Sequence, residues 1–276
     1  MTAEPTGAGA QDAAQSFAPV IENACAKGPV VLVCEHASHA IPAVWGTLGL
    51  DAAQARAHIA WDPGALDLAR GLSRRLDAVL IHAPVSRLVY DLNRAPHQPG
   101  AMPLRSEMHD IPGNADLTPA ERLARTRGIY LPFHAAVRAL VAERLALGQS
   151  PVIVTVHSFT PVWFGQPRKV ELGVLHDRDP AFAEAILARM QTAGGIDARL
   201  NEPYSAADDV THTLRLQATP LGLPNAMLEL RNDLIATPEA AEGMAERLAP
   251  AITGAIGDLT AKNPDRTTGR TEEPAL

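Results

Sequence analysis

Two apolar, β-branched segments that each end in a histidine constrain the fold of this chain more than any other feature. Residues 151–160 read PVIVTVHSFT and residues 29–38 read PVVLVCEHAS, so each segment predicts a buried strand with a polar tip. In open α/β sheets, ligands bind just outside the carboxyl ends of the strands. His157 and His36 stand at those ends, and we therefore expect the two strand tips to form one site.

Strands that alternate with helical patterns indicate a sheet covered by helices on both faces. The clearest helix covers residues 65–76, where apolar residues recur at helical spacing. A long helix is predicted over 120–147, with Thr118 as its N-cap and an interruption near Pro132. The other predicted helices cover residues 180–190 and 239–256, and residues 50–60 contain a short helical pattern. The predicted strands cover residues 30–34, 79–82, 87–91, 151–160, 170–175 and 226–231.

The length of the chain predicts one large domain. With 276 residues, of which 46% are hydrophobic, the chain can bury a full core. Residues 1–18 are rich in Ala, Gly, Thr and Gln, and residues 258–276 are polar, so both segments are expected to be flexible tails. The domain is therefore predicted to cover residues 19–257.

Composition excludes several classes of function. A formal charge of -7 and the lack of a long basic run argue against a nucleic-acid partner. No segment approaches the roughly 20 apolar residues that a membrane span needs, so no membrane partner is expected. The first residues lack the basic and then apolar order of a secretory signal. Together with only two cysteines, Cys25 and Cys34, this favours a cytoplasmic protein with reduced thiols.

The two strand tips carry candidate metal ligands. Catalytic zinc takes three protein ligands, drawn from His and carboxylates, and keeps one position open. His36 and His157 are candidates for two of them, and the third is either Asp62 or Glu35. Neighbouring residues at a strand end point apart, so Glu35 and His36 do not easily bind one ion, which favours Asp62. Histidines at strand ends are also commonly structural, and the chain has no compact HExxH motif.

Several short blocks of the chain resemble the N-formylglutamate amidohydrolase family. The blocks run in order over nearly the whole of residues 30–235. Together they are specific for the family, although each block alone is weak evidence for it. One position departs from the family, since His39 stands where Asn is usual, which makes His39 a further candidate ligand. The blocks are CEHAS at 34–38 with IP at 41–42, HIAWD at 58–62, SRLVYDLNR at 86–94, HSFTP at 157–161, NEPY at 201–204 and ELRNDLI at 229–235.

The resemblance implies a zinc-dependent amidohydrolase with a three-layer α/β/α fold related to the zinc carboxypeptidases. Its central sheet would be mixed and mostly parallel. About one zinc ion per chain would be bound by His36, Asp62 and His157, with Glu35 and His39 as less favoured ligands. Zinc held there would lower the pKa of its bound water toward about 7 and polarise the scissile carbonyl.

The same resemblance assigns roles to other residues, each beside a plainer alternative. Glu229 would be the general base and the later proton donor, or else the partner of Arg231 in an ion pair. An Asn-Arg pair binds substrate carboxylates in the wider group, and the arginines here would otherwise pair with Asp91. Tyr204 would close over the substrate or pack on the surface. The candidate substrate contacts are Ser38, Arg87, Asn93, Arg94, Ser158, Tyr204 and Arg231.

The predicted reaction is hydrolysis of a small N-acyl amino acid. For N-formyl-L-glutamate the products are formate and L-glutamate, which would link the protein to histidine degradation. The alternatives are a carboxypeptidase or deacylase with another N-acyl or peptide substrate, and a ligand- or metal-binding protein without turnover. A serine nucleophile is disfavoured because no GxSxG elbow surrounds Ser158. Loops 95–117 and 159–169 are expected to set specificity.

Overall fold

The computed structural model describes residues 17–262, which are built around a seven-stranded sheet. The strand order in this sheet is β1-β3-β2-β6-β11-β9-β10, and two short hairpins, β4–β5 and β7–β8, lie outside it. The strands are β1 (Val20–Glu22), β2 (Val30–Cys34), β3 (Val79–His82), β4 (Arg105–Ser106), β5 (His109–Asp110), β6 (Val152–Phe159), β7 (Val162–Trp163), β8 (Gln166–Pro167), β9 (Leu172–Leu175), β10 (Ala198–Leu200) and β11 (Asn225–Arg231).

The sheet is mixed and mostly parallel, as predicted. β3, β2, β6 and β11 form a parallel centre. β1 runs antiparallel to β3, β9 runs antiparallel to β11, and β10 runs parallel to β9. Every residue of β2 is buried, as expected for a central parallel strand that has cover on both faces.

Helices cover both faces, which completes the three-layer α/β/α sandwich. α1, α4 and α6 pack with alternate residues of the central strands in one buried cluster. α3 and α5 form a second cluster with the other residues of these strands and with the loops that follow β3. None of the helices within 17–262 combines the length and apolarity that a bilayer span requires. The helices are α1 (Ala65–Leu76), α2 (Pro119–Arg125), α3 (Leu131–Ala146), α4 (Ala181–Ala193), α5 (His212–Gln217) and α6 (Pro238–Lys262).

The predicted start and interruption of the long helix are both present. Thr118 and Glu121 form a capping box at the start of α2, with a proline in the first turn. A π-helical turn, Thr126–Tyr130, then separates α2 from α3. Pro132 has no N–H to donate to the carbonyl of Gly128, and the backbone N–H of Phe17 donates to that oxygen instead at 2.8 Å.

Two predictions of local structure were wrong, and one strand was not predicted at all. Residues 87–91 form turns, because the Ser86 hydroxyl and carbonyl accept bonds from the following N–H groups, and loop packing buries their apolar side chains. α6 runs to Lys262 because Ile256 and Leu259 still pack on the core, so 258–262 are helical. β1 was not predicted. Phe17 packs against Trp45, with ring centres 4.8 Å apart. Residues 1–16 and 263–276 lie outside the described residues.

His134 is buried on α3, on the face of the sheet that α3 and α5 cover. Its Nε2 lies 2.9 Å from the carbonyl oxygen of Leu92, and its Nδ1 lies 3.3 Å from the side-chain amide of Gln217. Burial lowers the pKa of His134 to about 4. The imidazole is therefore neutral in the folded protein at pH values where an unfolded histidine already binds a proton.

His134 should make the folded state sensitive to mild acid. Its folded pKa lies below its unfolded value, so its effect on stability is absent above pH 6.5 and grows as the pH falls toward 4. At pH 5 the free energy of unfolding is lower by about 2 kcal/mol because of this histidine. In urea unfolding, the free energy of unfolding of His134→Gln should therefore fall less between pH 7 and pH 5 than that of wild type. Equal losses in both proteins would contradict this prediction.

Candidate metal centre and active site

The site lies at the carboxyl ends of the central strands. His157 on β6 and Glu229 on β11 are direct partners in the parallel pairing of these strands, so their side chains leave the same face of the sheet. His36 follows the end of β2 by two residues. Asp62 is held near it by a backbone bond from its N–H to the carbonyl oxygen of His36 at 2.9 Å. The two predicted strand tips thus meet at one site.

Three buried side chains bring possible metal ligands together. Nδ1 of His36 lies 3.2 Å from Oδ2 of Asp62, and Nδ1 of His157 lies 2.9 Å from the same oxygen. The two Nδ1 atoms are 3.2 Å apart. Within the described residues, His36, Asp62 and His157 form the group of His, Cys, Asp and Glu side chains that is arranged to hold a metal ion.

Each of these histidines has a carboxylate at its other ring nitrogen. Nε2 of His36 lies 2.8 Å from Oδ1 of Asp91. Nε2 of His157 lies 3.2 Å from Oε2 of Glu35, which is within ion-pair distance although it is not aligned as a hydrogen bond. Carboxylates in this position orient a metal-binding histidine and leave its opposite nitrogen facing the ion. Glu35 and Asp62 therefore stand on opposite sides of the His157 ring.

Electrostatics in the cluster favour positive charge at His157 and negative charge at the carboxylates around it. Burial opposes a charge on His157, but Glu35 and Asp62 outweigh it and raise the pKa of His157 well above its ordinary value. Burial also opposes the charge of Asp62, but His36 and His157 outweigh it and lower the pKa of that carboxyl. The pKa of Asp91 is lowered well below its usual range, since Arg87 and His36 overcome the effect of burial.

The residues present fit a divalent cation. Four carboxylates, those of Glu35, Asp62, Asp91 and Glu229, are each at most 5% exposed. Several of their oxygens have no hydrogen-bond donor within residues 17–262: both oxygens of Glu35 and Oε2 of Glu229. Several carboxylates buried close together are costly to keep charged, and a cation held by the two imidazoles and Asp62 would offset that cost. Two histidines and one carboxylate are a ligand set that zinc accepts in catalytic sites.

Glu229 faces the metal-binding group from β11. It is 5% exposed, and burial raises the pKa of its carboxyl to about 7, with Asp62 adding to the rise. Arg231, its predicted alternative partner, bonds instead to Asp233 at 2.8 Å and to Glu171 at 3.2 Å. Glu229 is thus a carboxyl group that can take up and release a proton near neutral pH.

Arg87, Asn93 and Arg94 lie together on the cavity wall. Arg87 donates to Asp91 at 2.7 Å and to Asp62 at 3.3 Å, so the predicted ion pair with Asp91 is present. The Asn93 amide donates to the carbonyl of Val210 and its oxygen accepts from the N–H of Thr213. These bonds position the loop, and a direct contact of Asn93 with substrate stays a prediction.

Arg94 has donors left for a ligand. Its Nη1 donates to the backbone carbonyls of Asn93 at 2.8 Å and Asp209 at 3.0 Å. Its Nε and Nη2 have no hydrogen bond to any of the described residues. Nε lies beside Gly100, where an added Cβ would be 3.5 Å away. A planar pair of N–H groups is the arrangement that binds a carboxylate in bidentate fashion.

A cavity of about 230 Å³ opens over the metal-binding group. Ser158 and Tyr204, both predicted substrate contacts, line it, and the Ser158 hydroxyl donates to the carbonyl of Pro63 at 2.8 Å. Gly173 lets the loop before Tyr204 pack closely, since a Cβ there would lie 2.1 Å from the carbonyl oxygen of Glu202. The rest of the wall includes His58, Ile59, Ser106, Glu107, Phe159, Thr160, Trp163 and Val210.

Three predicted site residues lie elsewhere. Ser38 accepts a bond from the N–H of Ala40 and stabilises a turn. His39 is exposed beside Trp61, with ring centres 5.0 Å apart, and does not join the metal-binding group. Arg231 forms the ion pairs with Asp233 and Glu171. None of these three side chains lines the cavity, so the structure does not bring them to the site.

Sequence reasoning missed the roles of Asp91 and Glu35 beside the histidines. Asp91 could have been found from the DLNR segment at 91–94, where an acid precedes the Asn-Arg pair. Glu35 was weighed only as a ligand, although alternation at the strand end places it away from His36. The pair of His58 and Glu107, 2.7 Å apart on the wall, had no local signal, because the two residues lie 49 positions apart.

Fold and site together define this chain as a three-layer α/β/α protein with a buried His–Asp–His group that is able to hold a metal ion. Comparison with known families then identifies it more closely. The N-formylglutamate amidohydrolase family matches residues 28–236, which is more than half of the chain. The chain therefore belongs to the N-formylglutamate amidohydrolase family, and the predicted resemblance is confirmed. Membership supports an amidohydrolase.

Several solved structures resemble this one, and they include the following two. A gene product of Agrobacterium tumefaciens shares 52% sequence identity, with 88% of this chain and 96% of that chain covered and a TM-score of 0.86. The N-formylglutamate amidohydrolase of Ralstonia eutropha JMP134 shares 18% identity, with 89% of this chain and 99% of that chain covered and a TM-score of 0.63. The second likeness supports the fold alone. A search of curated proteins gave no match.

Proposed function

We propose that this protein is a zinc-dependent amidohydrolase that cleaves a small N-acyl amino acid, such as N-formyl-L-glutamate, to formate and L-glutamate. The observation that carries the proposal is the meeting of His36, Asp62 and His157 with Glu229 at one cavity. A ligand group for a cation and a separate buried carboxyl are the two parts that metal-assisted amide hydrolysis needs.

His36, Asp62 and His157 would hold the ion. The chemistry that zinc supplies in such a site is Lewis acidity toward a carbonyl and activation of water. Asp91 and Glu35 hold the two imidazoles at their outer nitrogens, which would leave both Nδ1 atoms available as metal ligands.

Glu229 moves the proton. Its carboxylate removes a proton from the attacking water, and the resulting carboxylic acid donates that proton to the nitrogen of the leaving amino acid. Hydrolysis then yields the free acid and the free amine. The buried position of Glu229, 5% exposed, keeps bulk water from competing for that proton.

Arginines bind the amino-acid part of the substrate in this proposal. Arg94 lines the cavity and would bind the α-carboxylate in bidentate fashion. Arg87 is fixed by Asp62 and Asp91 at the wall and would contact an oxygen of the substrate. The partner is thus a small N-acyl amino acid. Free thiols at Cys25 and Cys34 fit a cytoplasmic location.

The test combines metal content with formate release. We expect purified protein to contain about one zinc ion per chain and to release formate from N-formyl-L-glutamate. Chelation should abolish turnover, and added zinc should restore it. Zinc without formate release would reject the named substrate and redirect the assay to other N-acyl amino acids, the deacylase alternative. No metal and no activity after adding it would contradict the proposal.

A further inference from the structure

A guanidinium behind the cavity wall contacts three aromatic rings of that wall. The guanidinium carbon of Arg168 lies 5.3 Å from the ring centre of Phe159, 4.8 Å from that of Trp163 and 5.0 Å from that of Tyr204. All three rings line the cavity, whereas Arg168 does not. Each distance is within the range of a cation–π attraction.

The three rings come from three different segments. Phe159 ends β6, and Trp163 lies in the β7–β8 hairpin. Tyr204 lies in the loop after β10, and Glu202 in the same loop packs against Gly173. Arg168 is therefore the common contact that holds these segments side by side around the mouth of the cavity.

The same guanidinium determines what the Tyr204 hydroxyl can do. Nη1 of Arg168 donates to the phenolic oxygen of Tyr204 at 2.9 Å. Because that oxygen already accepts a bond from a cation, its own hydrogen remains for another acceptor, and the cation makes it a stronger donor. Tyr204 lines the cavity that also contains His157 and Glu229.

We propose that Arg168 is a positioning residue for substrate binding. It holds Tyr204 at the cavity wall and leaves the phenolic hydrogen for an oxygen of the bound N-acyl amino acid. This inference rests on the proposed function. A purely structural clip for the exposed hairpin is the simpler alternative, and it predicts no dependence on the Tyr204 hydroxyl.

A double-mutant cycle separates the substrate-positioning role of Arg168 from a purely structural role. We expect Arg168→Met and Tyr204→Phe each to raise KM about tenfold with kcat changed less than about threefold, as for loss of one charge-assisted bond in ground and transition states alike. The double variant should have the KM of Tyr204→Phe. Arg168→Lys should recover part of the loss. KM effects that multiply in the double variant, or an unchanged KM in Arg168→Met, would overturn the proposal.

A second readout needs no turnover. The chain has three tryptophans, so replacing Trp45 and Trp61 with Phe leaves Trp163 as the reporter. In that background we expect Arg168→Met to increase acrylamide quenching of Trp163, because the stacked guanidinium is lost. Lys169→Met removes a neighbouring exposed charge and should leave quenching unchanged. Equal quenching in the Arg168→Met variant and its parent would show that Arg168 does not hold Trp163, and would overturn the proposal.

The two assays also separate this inference from the proposed function. A wild-type protein that hydrolyses no N-acyl amino acid would reject the proposed function and, with it, the substrate role of Arg168. An active wild-type protein whose KM does not respond to Arg168→Met would reject the role of Arg168 alone.

Discussion

Replacing Glu229 with glutamine is expected to lower kcat by about 10³-fold, within the range that loss of a general acid–base group produces. The amide keeps the size of the side chain but cannot take up or release the proton. Zinc content should stay at the wild-type level, because Glu229 is outside the His36, Asp62 and His157 group. Steady-state formate release and metal analysis of the same preparation check both parts.

Stability gives an independent readout on this variant. Glu229 is buried, and its Oε2 has no hydrogen bond within the described residues. Replacing the carboxyl with a neutral amide therefore should not lower the thermal midpoint. Glu143→Gln, an exposed change on α3, is the matched control and should retain full kcat. Wild-type kcat in Glu229→Gln would exclude the proton-transfer role, and loss of zinc would assign Glu229 to the metal group.

The parts of the site that follow from strand geometry could be predicted from the sequence. Two apolar runs with histidine tips predict neighbouring parallel strands, so the meeting of His36 and His157 could be foreseen. Alternation along β2 separates Glu35 from His36, and in the structure these residues approach His157 from opposite sides. The fold class follows from the same pattern of strands and helices.

The remaining features depend on contacts that leave no local pattern. Residues 88–90, Leu-Val-Tyr, are an apolar run typical of a short strand, but turns around Ser86 place them on the core without sheet pairing. The stack of Arg168 on Phe159, Trp163 and Tyr204 joins segments up to 45 positions apart. Such tertiary contacts override local propensity, and they cannot be predicted from a local sequence pattern.

The choice between Asp62 and Glu35 as third ligand predicts opposite behaviour of two variants. Asp62→Asn removes the charged oxygen that lies within 3.2 Å of both Nδ1 atoms. We expect it to hold less than about one tenth of a zinc ion per chain after dialysis against a competing chelator, with turnover reduced by at least about 10³-fold.

Glu35→Gln should behave differently, because Glu35 contacts the outer nitrogen of His157 at 3.2 Å and does not face the ion. Loss of such an orienting carboxylate lowers metal affinity by about 10–100-fold. Zinc content near one per chain should therefore persist without chelator, and turnover should persist at a reduced rate. Glu107→Gln, a wall carboxylate paired with His58, is the control for metal content. The reverse order, with zinc lost from Glu35→Gln and retained by Asp62→Asn, would make Glu35 the ligand and Asp62 the orienting group.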